Sequence, residues 1–548
     1  MHSRSFALTL TLFTTVFTIL STPVSAGLVQ VPGLQLPSDA SKHRDDVKEI
    51  FVKSYQAYKE HAFGHDELAP VSEAFRDTRN GWGATIIDAM STMFIMDLED
   101  LFNEAVNFAS QIDFSKSKTD SSVSVFETTI RYLGGLLSAY ELSGQHTAAL
   151  VDRAKELGDK LAHAWIGDKD IPYSHLDFNT NQPDPQHKTS NIAEAGTLVL
   201  EWSLLSQFTG NETYRDLAEQ AFKHIARSPS PLPGLPAQGI NPDTGDPVGA
   251  YVTWGGGSDS YLEYLIKYAR LTNAEDPTYV AAWKTAVDSS IKHLLRRSTV
   301  GNHLYLADYH PEIGVIHSSS HLACFHGGNW ILGGKLLNND TIVDYGLELT
   351  DACWNTYAST HTGLGPETFE FMSPNELPSR WDVKPTAEQL RFYNEHGFFI
   401  SASNYYMRPE VLESNFYAWR ATGDTKYLDR AASAIESINK FLSVNGAFAG
   451  IEDVDAEDTK RTDIMESFWF AEVLKYLYLT FDDPSRMSLD EYVFNTEAQP
   501  FKAPAAKESY DTGTLESSQA PFKTKEGELP EVSPIPTGLA RIVGVVLG

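Results

Sequence analysis

Cysteine is almost missing from this chain: 548 residues hold only Cys324 and Cys353. In an oxidising compartment the natural reading is one disulfide. Closing that loop would contribute about 3–4 kcal/mol by chain entropy. Two buried thiols would be the reading for a cytosolic chain. Basic charge is also short, with 43 Lys and Arg against 73 Asp and Glu, a formal net charge of −30. That balance argues against nucleic acid or an anionic membrane as partner. Long apolar runs are lacking too. The best of them, Phe6 to Leu20, is diluted by threonine and weak for a bilayer span, which takes about 20 mostly apolar residues. His2 and Arg4 precede it and Pro23-Val24-Ser25-Ala26 follows, so residues 1–26 read as a signal peptide, with an uncleaved anchor as the alternative. The apolar end from Leu539 to Gly548 is interrupted by Arg541 and is too short to span. No phosphate-binding loop is present, since Gly255-Gly256-Gly257 lacks both GxGxxG and a Walker lysine. An EF-hand is excluded as well: in the stretch from Asp453, Asp458 replaces the required Gly and Ile464 the bidentate Glu.

Hydrophobic residues make up 42% of the chain and aromatics 11%, ample for a folded core. Ten Trp, 24 Tyr and abundant carboxylates suit a site for neutral sugars, and equally an ordinary acidic secreted protein. Helical periodicity begins near Asp45 and recurs almost to residue 482. Stripes run through Ile50–Tyr58, Ile86–Leu98, Ile130–Tyr140, Ile192–Phe208, Tyr214–Ile225, Tyr261–Leu271 and Tyr279–Leu295. They continue through Leu322–Leu337, Ile342–Tyr357, Val411–Thr422, Tyr427–Leu442 and Asp463–Phe481, the last opening with Asp463 and Glu466 spaced as a capping box. Thr209-Gly210-Asn211 and Thr422-Gly423-Asp424 each end one helix and start another. Repeated helical hairpins predict a toroid or solenoid of helix pairs. No linker interrupts residues 45–500, so they read as one all-α domain after a 27–44 lead. Residues 501–538 are rich in Pro, Ser, Thr, Lys and Glu without apolar period, and 501–548 reads as a disordered tail. Asn211-Glu212-Thr213 and Asn339-Asp340-Thr341 are glycosylation sequons.

The stretch Tyr405 to Ser414 carries the most suggestive chemistry. Pro409 suits a first helical position, which puts Glu410 in the first turn with Glu413 three residues on, on one face. The positive helix end favours an ionised carboxylate there, a state that serves a general base. Glu127 and Arg131 are spaced i,i+4, either as a surface ion pair or as site residues. Arginine lowers a carboxyl pKa, so Glu127 could be an acid only if burial outweighs Arg131 or if Arg131 turns to substrate. Asp259 follows the glycine loop as helix cap or site carboxylate, and Glu367 sits in the loop Gly363-Leu364-Gly365-Pro366-Glu367.

An ordered series of motifs ties these together: Gly64-His65-Asp66-Glu67-Leu68, Trp82-Gly83-Ala84-Thr85, residues 126–140, Ala193-Glu194-Ala195-Gly196, residues 259–267, His321-Leu322-Ala323-Cys324-Phe325, Gly363 to Glu367, Arg408 to Ser414, Met465-Glu466-Ser467-Phe468 and Phe494-Asn495-Thr496-Glu497-Ala498. Over residues 45–500 the chain resembles the class I α-1,2-mannosidases of glycoside hydrolase family 47, especially the secreted fungal members. The resemblance implies an (α/α)7 barrel of concentric helical hairpins, with short β-hairpins or loops at one end. It implies exo-hydrolysis of α-1,2-linked mannose from high-mannose N-glycans with inversion, by a monomer in the secretory pathway that is secreted or held in a vesicle lumen without a stable membrane anchor. It also implies one Ca²⁺, held by the main-chain and hydroxyl oxygens of Thr496 and by substrate hydroxyls. Glu127, Asp259 and Glu410 fall on the family's three central carboxylates and Glu367 on a fourth considered as proton donor. Arg131, His321, Arg408, Glu413, Phe468, Glu472 and Glu497 fall on substrate-pocket positions. Cys324 and Cys353 fall on the family's disulfide.

Glu410 as base and Glu127 as acid is the favoured assignment, with Asp259 as rival acid and Glu367 an outside one. Gln499 departs from the His that many members carry. Gly257 stands where members that trim a single mannose carry Arg, so broader trimming, from nine mannoses towards five, is expected. A non-trimming glycan-binding protein of the same fold is the alternative, and another helical-toroid glycosidase a third reading.

Overall fold

The computed structural model describes residues 28–374, 385–510, 513–515, 520–527 and 529–530. The expected signal peptide lies outside them. Two concentric rings of helices account for most of the described chain. The inner ring runs through Ala84–Ile95, residues 125–142, residues 192–209, Asp259–Leu271, residues 322–336, Glu410–Thr422 and residues 469–481. The outer ring runs through Glu99–Ala109, Ala148–Leu161, Thr213–Arg227, Thr278–His293, Asp340–Ala358, Lys426–Phe441 and, closing the circle on the last inner helix, Ala40–His61. Each inner helix packs on the outer helix that follows it and on its inner neighbours. This is the expected (α/α)7 architecture.

The two rings differ because their sequences do. In Ala84–Ile95 every residue except Phe94 is buried, and Leu474–Phe481 is buried throughout. The outer helix Thr213–Arg227 buries one stripe only, Tyr214, Ala218, Ala221, Phe222, Ile225 and Ala226. A helix apolar all round belongs inside, and one with a single apolar stripe covers it.

Short strands gather where inner helices begin. Val123–Ser124, paired with His175–Asp177, runs straight into the 125–142 helix. Ser190–Asn191, paired with Gly239–Ile240, runs into the helix at Ile192, and Ser318–Ser320 precedes the one at Leu322. At the opposite end the hairpin Tyr492–Phe494/Pro500–Lys502 enters between the C-terminal ends of inner helices, with the Lys502 N–H donating to Glu141. Its turn climbs the axis, and Asn495 Nδ2 donates to the Ile130 carbonyl at 3.0 Å and to Glu201 at 2.7 Å.

Three expectations need correction. The last inner helix starts at Trp469 rather than Asp463, because the Asp463 carboxylate instead accepts from the Val71 and Ser72 N–H groups and pins the 67–76 hairpin. The helix after Arg408 starts at Glu410, with Pro409 as its cap. The first helix begins at Ala40, five residues ahead of Asp45. Cys324 and Cys353 form a disulfide joining an inner helix to its outer partner. Asn211 is exposed in the turn between two helices. Asn339 caps the Asp340–Ala358 helix through Oδ1, accepting from the Ile342 N–H at 3.2 Å.

Candidate active site

The inner helices begin around a cavity of about 1140 Å³ on the barrel axis, floored by the turn of the 492–502 hairpin. Glu127, Asp259 and Glu410 all line it, as do Arg131, Arg408, Glu413, Phe468, Glu472, Thr496 and Glu497. Residues more than 300 positions apart in sequence therefore meet in one chamber. Three inner helices depart from α-geometry where they meet it. Thr129–Leu133 and Trp469–Val473 are π-helical and Leu322–Phe325 is 3₁₀, the kind of local irregularity that recurs at functional sites. Met407 (φ 64°) and Ala498 (φ 53°) hold left-handed backbone beside Arg408 and Glu497, strain that the surrounding packing must sustain.

Glu127 is held by two arginines. Arg131 Nε donates to Glu127 Oε2 at 2.8 Å, and Arg79 Nε lies 3.3 Å from the same oxygen. Burial pushes this carboxyl up, but Arg79 and Arg131 outweigh it and bring it down to about 2. The condition for Glu127 to be an acid, burial outweighing arginine, is not met. Arg131 also engages the protein through Nη1, which is 2.6 Å from Glu497 and 3.4 Å from Asp88 and donates to Ser467 at 3.2 Å.

Asp259 lies at the opposite extreme. It opens the Asp259–Leu271 helix, and burial, with Glu263 and Glu410 adding to it, raises its carboxyl to about 7 against the Ser260 N–H and Arg408. In Glu410 burial is again the largest influence, but the His321 hydrogen bond and charge and Arg408 prevail and leave it below its ordinary value. His321 Nδ1 is 2.7 Å from Glu410 Oε2, and its Nε2 is 2.7 Å from the Tyr357 hydroxyl. A carboxylate only accepts, so the proton sits on Nδ1.

Two residues expected in the pocket stand behind it. The His321 side chain has 0% exposure and acts through Glu410. Glu367 is 1% exposed; it accepts from Arg408 Nε at 2.5 Å and from the Tyr406 N–H at 3.0 Å. Its oxygens are thus committed to orienting the 406–408 segment. Gln499 is also behind the floor. Its amide accepts from Ser91 at 2.6 Å and donates to Asp88 at 3.2 Å, so it makes contacts in the floor's supporting layer.

Thr496 sits on the floor because Asn495 ties the turn: its Oδ1 accepts from the N–H groups of Glu497 at 2.9 Å and Gln499 at 2.7 Å. The Thr496 N–H donates to the Tyr264 hydroxyl at 3.2 Å. Around it the carboxyls of Glu413, Glu472 and Glu497 are crowded. Burial pushes Glu413 to about 8, with Glu263 and Glu410 adding to it against Lys267, and burial with Glu497, Glu410 and Glu413 pushes Glu472 well above the carboxylate range. Burial raises Glu497 as well, with Asp88 and Glu127 adding to it against Arg131. An acidic floor with hydroxyl and carbonyl donors fits a hard dication. No group of three or more His, Cys, Asp or Glu able to hold a metal exists among the described residues; Thr496, through its hydroxyl and main-chain oxygens, is the residue that would hold such an ion.

Sequence reasoning gave Arg79 no role, although it lines the cavity and neutralises Glu127. Its position follows from Asp66, whose carboxylate accepts from the N–H groups of Arg79, Gly81, Gly83 and Ala84. The usable signal was the buried aspartate of Gly64-His65-Asp66-Glu67-Leu68, followed by a glycine-rich turn. Glu194, raised to about 7 by burial, also lines the cavity.

Residues 50–503 match the model of glycosyl hydrolase family 47. The chain is 38% identical over 522 residues to the mannosyl-oligosaccharide α-1,2-mannosidase 1B of Aspergillus oryzae, covering 89% of this chain and 100% of that one. It is 38% identical over 494 residues to the enzyme of the same name from Aspergillus phoenicis, covering 86% and 94%. Among solved structures, the α-1,2-mannosidase from Trichoderma reesei superimposes with a TM-score of 0.81 at 36% identity, covering 85% of this chain and 99% of that one.

Proposed function

The chain belongs to glycosyl hydrolase family 47, and from that premise we propose that it removes terminal α-1,2-linked mannose from high-mannose N-glycans, with inversion and with calcium. The observation that carries this is the convergence of Glu127, Asp259, Glu410 and Thr496 on one axial cavity. Inverting hydrolysis needs one carboxyl that holds a proton and one that has lost it. Glu410 takes a proton from water as the water oxygen bonds to the anomeric carbon. The donor gives its proton to the leaving oxygen as the glycosidic bond breaks.

We assign the donor to Asp259 rather than to Glu127, the choice favoured from sequence. Asp259 keeps its proton up to about pH 7, whereas Glu127 is held ionised by Arg79 and Arg131. Glu127 then serves as a fixed negative charge and hydroxyl acceptor. Phe468, with the Arg131 guanidinium 5.7 Å from its ring centre, offers an apolar face to the sugar. Calcium on the Thr496 oxygens would ligate sugar hydroxyls and favour a distorted ring.

Gly257 has φ 84° and lines the cavity. It makes the turn and also leaves that wall without a side chain, which supports trimming of several branches, from nine mannoses towards five. No helix among the described residues is long and apolar enough to cross a membrane, and the disulfide suits an oxidising compartment. The disulfide supports a protein of the secretory pathway, secreted or held in a vesicle lumen.

Glycan profiling of a nine-mannose substrate, with NMR of the released sugar, tests the reading. We expect β-mannose to appear first and products to reach five mannoses. Initial α-mannose would refute inversion, and arrest at one eight-mannose isomer under excess enzyme would refute the role given to Gly257. Binding without release would return the glycan-binding alternative.

A further inference from the structure

The family match ends at residue 503, yet described residues beyond it make contacts at both ends of the barrel. Pro504 and Ala505 offer their carbonyls to Arg270 Nη1 at 2.9 Å and Asn273 Nδ2 at 2.8 Å, beside the C-terminal end of the Asp259–Leu271 helix. The Tyr510 hydroxyl donates to Asn273 at 2.7 Å, and Leu515 packs on the core. Further on, the chain is at the other end of the barrel. The Lys525 N–H donates to the Pro247 carbonyl at 3.0 Å, and the Lys525 carbonyl accepts from the Gly249 N–H at 3.3 Å. Lys525 thereby pairs parallel with Val248, on the edge of the three-stranded sheet Ser190–Asn191/Gly239–Ile240/Pro247–Val248. That sheet feeds the inner helix at Ile192.

Side chains support the pairing. Lys525 forms an ion pair with Asp246 and donates to the Thr244 hydroxyl at 3.1 Å. Leu529 lies over Gly239 so closely that a Cβ there would come within 2.2 Å of it. Gly239 is not among the positive-φ glycines, so its missing side chain answers to close packing against Val248 and Leu529, not to backbone conformation. Two residues past the paired strand, Gly527 lies against Val248 and Thr189. Pro530 then reaches the cavity and forms part of its wall together with Asn191, Ala193 and Gly257. Asn191, the strand partner of the Gly239 on which Leu529 packs, leads into Ala193, whose N–H donates to the Gly257 carbonyl at 3.0 Å, so the tail adds bulk on the Gly257 side of the cavity.

We propose that residues 520–527 and 529–530 are a specificity element: a segment bridged through Lys525 to the sheet edge that narrows the cavity mouth and restricts which branches of a large glycan can enter. This rests on the α-1,2-mannosidase reading above. Lys525, Gly527 and Leu529 rest on Val248, Thr189 and Gly239 rather than on Glu127, Asp259 or Glu410, so a substrate small enough to pass the mouth should not sense the tail.

The test compares the full chain with a truncation after Leu515 and with Leu529→Asp, which keeps the length but sets a charge against Gly239. Exchange of the Gly249 amide reports undocking: protected in the full chain, unprotected in both variants. For α-1,2-mannobiose we expect kcat/KM within about twofold of the full chain. For a nine-mannose glycan we expect it to rise at least about fivefold, with an altered order of branch removal. An unchanged ratio between the two substrates, or a fall with the glycan alone, would overturn the proposal. If the truncation does not fold, Leu529→Asp decides by the same ratio. If the full chain fails to cleave mannobiose at all, the mannosidase reading fails instead.

Discussion

Replacing His321 by Phe should move the pH profile rather than only lower the rate. His321 Nδ1 and Glu410 Oε2 are 2.7 Å apart, with side-chain exposures of 0% and 13%. Phenylalanine keeps much of the ring volume but cannot donate. A hydrogen bond to a charged group contributes about 1.5–3 kcal/mol, and one pKa unit corresponds to about 1.4 kcal/mol. Loss of the bond should therefore raise Glu410 by about 1–2 units, leaving burial opposed chiefly by Arg408. The sign follows from the role. A general base works only when deprotonated, so the acidic limb of kcat/KM should move up by the same amount, with little loss above the new pKa. The assay is kcat/KM on α-1,2-mannobiose across the acidic range, which reports groups of the free enzyme. Tyr357→Phe is the control, since it removes only the partner on the far side of the imidazole and should shift the limb by less than about half a unit. An unmoved limb with uniform loss at every pH would refute the reasoning and make His321 a packing residue.

Asp259→Asn should reduce mannobiose hydrolysis by about 10²–10⁴ yet largely spare α-mannosyl fluoride, whose leaving group needs no proton. Equal loss on both substrates would refute the donor assignment, and the same discrimination in Glu127→Gln would transfer the role to Glu127. Exhaustive chelation should abolish mannose release and Ca²⁺ should restore it. The calcium-dependent rise in melting temperature should be lost in Thr496→Ala, and full activity in verified absence of metal would refute the calcium reading.

Much of this protein was legible before folding. Helical stripes broken at Gly210 and Gly423 predict hairpins, and both residues are left-handed caps between an inner and an outer helix. Apolar period is a local property, so it survives in the sequence. The outer helices Glu99–Ala109 and Ala148–Leu161 were less visible because their buried stripes include alanines, such as Ala105, Ala109 and Ala154. Asp463 misled for a related reason. A helix-start pattern competes with partners far along the chain, and two N–H groups of the 67–76 hairpin took the carboxylate. In the tail, composition reports only that no apolar period exists. Pairing with the Pro247–Val248 edge uses main-chain groups that every residue but proline carries in full, so composition is silent on it.

The sequence alone determined which carboxylates and which threonine are present, and which helix starts carry them. Only the tertiary structure decided what each can do. Glu127, Asp259 and Glu410 are the same functional group at similar places in their helices. They differ because folding buries all three and brings Arg79 to the first beside its neighbour Arg131, Glu410 to the second beside its neighbour Glu263, and His321 to the third. Protonation depends on charge and burial within a few ångströms, and those distances exist only once the barrel has closed.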